Sequence, residues 1–281
     1  MVLARLIAIS MLAFIVSISA VAADDSVGPY RIAWENHILT ISGDDLPGRE
    51  LKTWYLEAYC RPGSTDRDWH ETVIGHKTRL VRADEAGQRI ELQCELADGV
   101  VVDHVICAVA DGVEFSLVAK NPTDKTSAAH WAQPCIRVGD FTGRGKEDYI
   151  DKCFIFVDGK LSTFPTKPWA MKARYIPGQV WCPAHVDRDD VNPRPLSEIV
   201  PSNGLIGCYS ADGKRMMATV WEPYQELFQG VITCIHSDFR IGGLKPGETK
   251  KIRGKIYLVN ADGDLLLQSY RRDFPEHFDS E

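Results

Sequence analysis

The chain has 281 residues, 44% of them hydrophobic and 25% charged, with 39 acidic against 32 basic side chains for a net charge of −7. That balance is the ordinary one for a globular protein, and it excludes a disordered chain, a collagen-like repeat and a polytopic membrane protein. The acidic excess argues against a nucleic-acid partner, because nothing supplies a basic stripe to displace phosphate counterions.

The first residues set the expected compartment. Arg5 is the single charge before an apolar run, Leu6 to Ile18, and small residues come next, with Ala20 and Ala22 forming an A-x-A site and Val21 with Ala23 a second one. A positive start, an apolar run too short to span a bilayer and a small-residue site describe a signal peptide cleaved near Ala22 or Ala23. The alternative is an uncleaved amino-terminal anchor. With cleavage, residues 24–281 remain as a single exported domain, secreted or periplasmic, with no membrane span.

Strand patterning dominates the remainder of the chain. Five Asp-Gly pairs punctuate it, at Asp98-Gly99, Asp111-Gly112, Asp158-Gly159, Asp212-Gly213 and Asp262-Gly263, and the first four are flanked by β-branched or aromatic residues. Such pairs supply the positive φ that tight hairpins need. The segment from Arg89 to Asn121 therefore predicts three consecutive strands. In the first, Ile90, Leu92, Cys94 and Leu96 share one face while Glu91, Gln93 and Glu95 take the other. A two-residue loop at Asp98-Gly99 would set Cys94 opposite Asp103 and bring Asp103 onto the apolar face, so either the register shifts by one residue or Asp103 is a paired buried carboxylate. From Thr249 the same period returns, with Ile252, Gly254, Ile256 and Leu258 alternating with Lys251, Arg253, Lys255 and Tyr257. Period-two alternation with one wet face predicts antiparallel sheet. Helical spacing waits until Leu265, Leu266, Leu267 and Tyr270, which predict one short terminal helix starting near Asp262 or Asp264. Residues 162–203 are the least regular stretch, rich in proline and aromatics, and are expected to form an elaborate loop.

Eight cysteines are spread widely, and no C-x-x-C pair occurs. A zinc site is accordingly not expected, and no cofactor motif appears. An oxidising compartment would permit up to four disulfides, but most of these cysteines lie inside apolar alternations, where the residue behaves as a small buried hydrophobe. Buried thiols are the expectation for most of them, with one or two bridges allowed.

Two phrases carry a resemblance. IGGLKPGETKKIRGKIYLV, followed by a short amphipathic helix, is similar to the closing strands of secreted bacterial proteins of the galactose mutarotase-like β-supersandwich superfamily. FSLVAKNPTDKTSAAHWAQPC resembles the central strand and loop of such domains, where an Asn ends a strand before a loop bearing a His. The resemblance implies an all-β antiparallel supersandwich with carbohydrate, a polysaccharide or oligosaccharide, as the ligand class. The superfamily hosts sugar epimerases, polysaccharide lyases and domains of glycosidases. Its mutarotases use a His acid and a Glu base, a pair that no motif here reproduces.

The residues themselves nominate candidates. His130, beside Trp131, could act as a base with Arg137 as a clamp for a uronate carboxylate, and Arg137 on the wet face of a strand is the plainer alternative. Glu222 and Glu226 are carboxylates in an aromatic setting, four residues apart and so adjacent only if WEPYQELFQ is helical, which Pro223 opposes. His236 is either a further catalytic candidate or a core histidine. Trp131, Trp169, Tyr175, Trp181 and His76 are candidates for binding substrate, the aromatics by stacking on sugars, although tryptophan is usually buried. The 162–203 loop is expected either to wall the ligand cleft or to lie as a lid whose aromatics form a satellite core. Asp187, Asp189 and Glu198 match positions one, three and twelve of an EF-hand, but Asn192 stands where glycine is needed and Pro193 comes next, so that reading fails. A looser calcium site from Asp187, Asp189 and Asp190 competes with a solvated loop. The two functional readings are a carbohydrate-active enzyme, such as a lyase or epimerase, and a non-catalytic carbohydrate-binding or structural module.

Overall fold

In chain order the strands are β1 (Arg31–Glu35), β2 (Ile38–Ser42), β3 (Glu50–Cys60), β4 (Val73–Ile74), β5 (His76–Ala83), β6 (Arg89–Leu96), β7 (Val101–Val109), β8 (Gly112–Lys120), β9 (Trp131–Arg137), β10 (Cys153–Val157), β11 (Lys160–Thr163), β12 (Val180–Trp181), β13 (Ile206–Tyr209), β14 (Arg215–Glu222), β15 (Tyr224–Gln229), β16 (Cys234–Arg240) and β17 (Thr249–Asn260). The computed structural model describes residues 28–145, 148–163, 180–193, 196–230 and 232–278. Among the described residues helix is confined to two single turns, α1 (Trp69–Thr72) and α2 (Gly139–Thr142), a terminal α3 (Gly263–Asp273) and a few 3-10 turns. No helix among the described residues is long and apolar enough to cross a membrane. The expected signal segment, and Trp169 and Tyr175 of the expected loop, lie outside the described residues.

Two antiparallel sheets pack face to face. The first runs β1-β2-β3-β9-β16-β15-β12 with β4 on the end of β3, and the second runs β11-β10-β13-β14-β17-β8-β7-β6-β5. The alternation read from Arg89 onward is realised as β6, β7 and β8, paired in sequence. Ile90, Leu92 and Cys94 of β6, Phe115 and Leu117 of β8 and Ile252 and Ile256 of β17 meet Leu39, Leu51, Tyr55, Ile136, Ile235 and Phe239 of the first sheet in one core. Burying such side chains contributes about 25 cal/mol for each Å² of apolar surface removed from water, which makes this shared layer the main cohesive term.

The Asp98-Gly99 turn resolves the register question. Gln93 faces Asp103 and Cys94 faces Val102, one residue away from the two-residue-loop register, because Gly99 at φ 92° closes a longer loop. Asp103 thereby leaves the apolar face, accepting from Gln93 at 2.7 Å and pairing with Lys120 at 3.1 Å. Asp158-Gly159 does form a two-residue hairpin, both residues at positive φ, between Val157 and Lys160. Asp262 caps α3, its carboxylate accepting from the backbone N–H groups of Asp264 and Leu265 at 3.0 Å.

One face expected to be wet is covered. Leu266, Tyr270 and Phe274 of the terminal helical region pack on Phe154, Met216, Val220 and Tyr257, so α3 lies on the outer face of the second sheet. Lys255 on that face is buried and answered by Asp111 and Asp273, each at 2.8 Å.

All eight cysteines are free thiols, seven of them buried and Cys107 partly exposed, as the apolar alternation implied. Of the irregular stretch, Ser162 and Thr163 complete β11 on the second sheet, and residues 180–192 lie against the first. Val180, Cys182, Val186 and Val191 pack on Phe228 of β15, and the Trp181 ring enters the core between the sheets. The Trp181→Ala protein should therefore lose about 3–5 kcal/mol of unfolding free energy in urea. A loss under about 1 kcal/mol would mean that this indole fills no part of the core.

Candidate functional site: a closed polar face with one open rim

Alternation along β9 sends Ala132 and Ile136 into the core and Trp131, Gln133 and Cys135 to the opposite face of the first sheet. On β16 the same rule sends Ile235 and Phe239 inward and His236, Asp238 and Arg240 outward. A bulge in β15 adds to this face. Tyr224 pairs with Phe239 and Glu226 with Asp238, two steps against one, so both Gln225 and Glu226 turn outward. A second bulge, in β3, takes four steps from Trp54 to Ala58 against two on β9, and Leu56 there adopts φ 62°. Bulges of this kind re-aim side chains, and this one turns Glu57 toward Gln133, which donates to it at 2.9 Å.

The segment from Val180 to Asn192 closes over that face and supplies its partners. Asn192 donates its backbone N–H to Glu226 at 2.7 Å and its side-chain amide to Gln133 at 2.9 Å. Gln225 donates to the Asp190 carbonyl and accepts from Arg240. Gln133, Asn192, Gln225, Glu226, His236 and Asp238 are all buried. The face is polar but shut from water.

At one end the network opens. Asp190, itself buried, accepts from His130 Nδ1 at 3.0 Å and from Arg240 at 3.2 Å through the same oxygen. The His130 and Arg240 side chains are 24% and 22% exposed, so they form the accessible rim of the face. The local sequence explains the placement. Asn121 ends β8, and its amide donates to the carbonyls of Lys125 at 2.7 Å and Leu244 at 2.8 Å, tying the 121–130 loop to the turn after β16. That turn wraps His130: Ile241 and Gly242 both donate to its carbonyl at 2.7 Å. A Cβ on Gly243 would stand 3.0 Å from His130 Nε2, and one on Gly242 would stand 3.5 Å from Lys250 Nζ and 4.0 Å from Arg240 Nε. His130, Arg240 and Lys250 thus share one rim, and burial, with Arg240 next, pushes the Lys250 ammonium pKa down.

The expected site residues divide. His130 takes the rim. Arg137 does not join it: six residues along β9 from Trp131, it lies 6.0 Å over the Trp54 ring and donates to the Ile232 carbonyl at 3.4 Å. Arg240, not Arg137, stands beside His130 on the Asp190 carboxylate. Glu222 and Glu226 are not neighbours on a helix; Glu222 ends β14 in the second sheet, paired with His277, while Glu226 sits in β15 of the first. Strand geometry and the corner at Pro223 separate them. His236 is buried, its ring stacked on Phe228 at 3.9 Å with 15° between planes. Its Nε2 stands 3.3 Å from Cys234 Sγ and its Nδ1 3.8 Å from Asp238. Hydrogen bonding from Cys135 pulls the Cys234 thiol pKa well below its ordinary value, against burial.

Trp131 and Trp181 offer no face to a ligand. Trp131 is buried with Ala58 and Cys60 and donates its indole N–H to Ser64 at 3.2 Å, and Trp181 is in the core. His76, in β5 of the second sheet, packs edge-on against Tyr59 at 5.0 Å and lines a shallow hollow of about 450 Å³ with Lys77, Glu95 and Leu96, a hollow that His130 does not line. Another hollow, about 750 Å³, lies beside Tyr30, Asp111, Arg215 and Arg272 and holds none of the expected residues. The looser calcium reading also fails. Asp187 caps a 3-10 turn through the Asp189 N–H, Asp189 is exposed, and Asp190 turns inward to His130 and Arg240. Sequence reading overlooked Asp190's real role, Arg240, Gln225 and Asn192; only Asp190 carried a signal, as part of an acidic run.

No protein-family model matches this sequence, and no curated protein matches it either. Solved structures resemble it in architecture. A galactose mutarotase-like protein from Lactobacillus casei aligns with a TM-score of 0.42 at 10% identity, over 82% of this chain and 99% of that one. A galactose mutarotase-like protein from Clostridium acetobutylicum gives 0.43 at 10% identity, over 82% and 94%. An alpha-N-acetylgalactosaminidase from Bifidobacterium bifidum gives 0.49 at 10% identity, over 89% of this chain but 38% of the longer enzyme.

A second buried histidine offers a test of this interior. His104 lies between the Tyr55 and Tyr59 hydroxyls at 3.0 and 3.3 Å, and burial lowers its pKa from the ordinary 6.5 to about 3. The unfolded chain takes up a proton below pH 6.5 that the folded chain refuses until about pH 3. Stability contributed by this group is therefore complete above pH 6.5 and falls as pH drops through that window, by up to a factor of about ten in the folding equilibrium per pH unit. Urea denaturation between pH 4 and 7 should show a slope shallower by close to one proton in His104→Gln; equal slopes would mean that His104 titrates normally in the fold.

Proposed function

We propose that this protein is an exported, carbohydrate-directed protein that binds an acidic saccharide at the rim formed by His130, Arg240 and Lys250. The observation that carries the reading is that rim: His130 and Arg240, both partly open to water, held on one buried carboxylate, with Lys250 beside Arg240. Asp190 fixes His130 and Arg240 in place. Arg240 spends one terminal nitrogen on Asp190 and Gln225, which leaves the rest of its planar donor set for a carboxylate. Lys250 spends one donor on the Ile241 carbonyl at 2.9 Å and keeps two. A uronate carboxylate matches this donor set, and the resemblance of the Asn121-to-His130 segment to mutarotase-like domains supports a sugar as its carrier.

Binding without turnover is the reading that the geometry supports best. An acid/base pair must flank the reacting atom, and Glu226 and His236 are buried under the covering segment while Glu222 is held by His277 on the other sheet. Export rests on the Arg5, Leu6–Ile18 and Ala20-x-Ala22 pattern.

Calorimetric titration with oligogalacturonate and with its neutral counterpart tests the proposal. The acidic oligosaccharide should bind and the neutral one should not, and Arg240→Ala should weaken binding at least about tenfold, the cost of one charge-assisted hydrogen bond. Equal affinity for both sugars, or no binding to either, would overturn it. Accumulation of unsaturated uronate products would instead establish a lyase.

A further inference from the structure

The end of the covered face away from His130 carries chemistry that saccharide binding does not use. Cys135 of β9 lies five residues from His130, about 16 Å at 3.3 Å per residue, and its neighbours on β16 are Cys234 and His236. The two sulfurs and one imidazole nitrogen all lie within 4.8 Å of one another, and all three residues are buried. From this arrangement we infer that Cys135, Cys234 and His236 form a binding site for a single thiophilic divalent cation, with Zn²⁺ as the reference ion.

The ligand set and its spacing fit. Zinc binds thiolate sulfur at about 2.3 Å and imidazole nitrogen at about 2.0–2.1 Å in a tetrahedron, which sets a sulfur and a nitrogen about 3.6 Å apart and two sulfurs about 3.8 Å apart. Cys234 Sγ and His236 Nε2 stand at 3.3 Å, and the remaining separations lie within the 4.8 Å limit. Two cysteines and one histidine also leave a fourth position, as in open zinc sites.

Three observations outside the donor atoms point the same way. His236 presents Nε2 to the sulfurs while Asp238 Oδ1 stands 3.8 Å from Nδ1, longer than a hydrogen bond but on the side where a metal-ligating histidine meets a carboxylate. Phe228, stacked at 3.9 Å, holds the ring plane. Gly230 leaves the donors room: a Cβ there would fall 2.1 Å from Cys234 Sγ and 3.0 Å from His236 Nε2. Charge balances as well, since the cation expels one proton from each thiol and two thiolates neutralise its two charges inside a buried pocket. No C-x-x-C spacing announces such a site, because strand pairing rather than a knuckle loop brings the two sulfurs together.

The test uses the full chain, purified reduced, stripped with a chelator and titrated with Zn²⁺ and then with Co²⁺. One equivalent of Zn²⁺ should bind per chain, and Co²⁺ should give a thiolate-to-metal charge-transfer band. Cys135→Ser and Cys234→Ser should each abolish the band, and Asp238→Asn should weaken Zn²⁺ binding about 10–100-fold. Cys208→Ser, in the second sheet, should change neither. Failure of the wild-type chain to take up Zn²⁺ would overturn the inference whatever the variants do. So would a Cys135–Cys234 disulfide in the non-reduced protein, or a Co²⁺ band that survives in the Cys135→Ser/Cys234→Ser double variant.

Discussion

Gln133, Asp238, Glu226 and His236 line one face of the first sheet, and the segment from Val180 to Asn192 closes over them. Polar groups taken out of water must find partners inside the protein or cost several kcal/mol each. The covering segment meets that demand with its own backbone and side chains: the Asn192 N–H to Glu226, the Asn192 amide to Gln133 and the Asp190 carbonyl to Gln225. Cover and sheet therefore specify each other. Neither the apolar contacts of Val186 and Val191 with Phe228 nor the polar contacts would by themselves fix the segment's register on the sheet.

That closure divides the face into two places where chemistry can occur. At the His130 end the network reaches the surface, and the shared Asp190 oxygen holds a histidine and an arginine in fixed relation with Lys250 beside them. At the Cys135 end it is sealed, and the donors are soft sulfurs beside an oriented imidazole. The open end suits an anion arriving from solvent, whereas the sealed end suits a small cation that replaces thiol protons. One sheet face thus carries two donor sets of opposite charge preference, separated by the length of β9.

The two bulges matter more to this division than the regular ladder does. In β15 the extra residue lets Gln225 and Glu226 point the same way, so one strand serves both Arg240 and Asn192. In β3 the irregularity at Leu56 delivers Glu57 to Gln133. Strict alternation would have sent one member of the Gln225–Glu226 pair into the apolar core, where its polar group would need a partner among Tyr224, Leu227 and Phe239.

Period-two alternation in Arg89–Leu96 and Thr249–Asn260, the Asp-Gly turns and the helical spacing after Asp262 are local properties. They determined strands, hairpins, the terminal helix and the burial of the cysteines without reference to the rest of the chain. The position of His130 in the loop after β8 was legible too, from the Asn that follows that strand. The pairing of Asp190 with Arg240, the separation of Glu222 from Glu226 and the meeting of Cys135 with Cys234 were not legible. Each depends on which strands become neighbours and on where a bulge shifts the register by a residue. Those choices are made by the shared core and the covering segment, through contacts between residues a hundred and more positions apart in the chain, and only the folded chain holds them together.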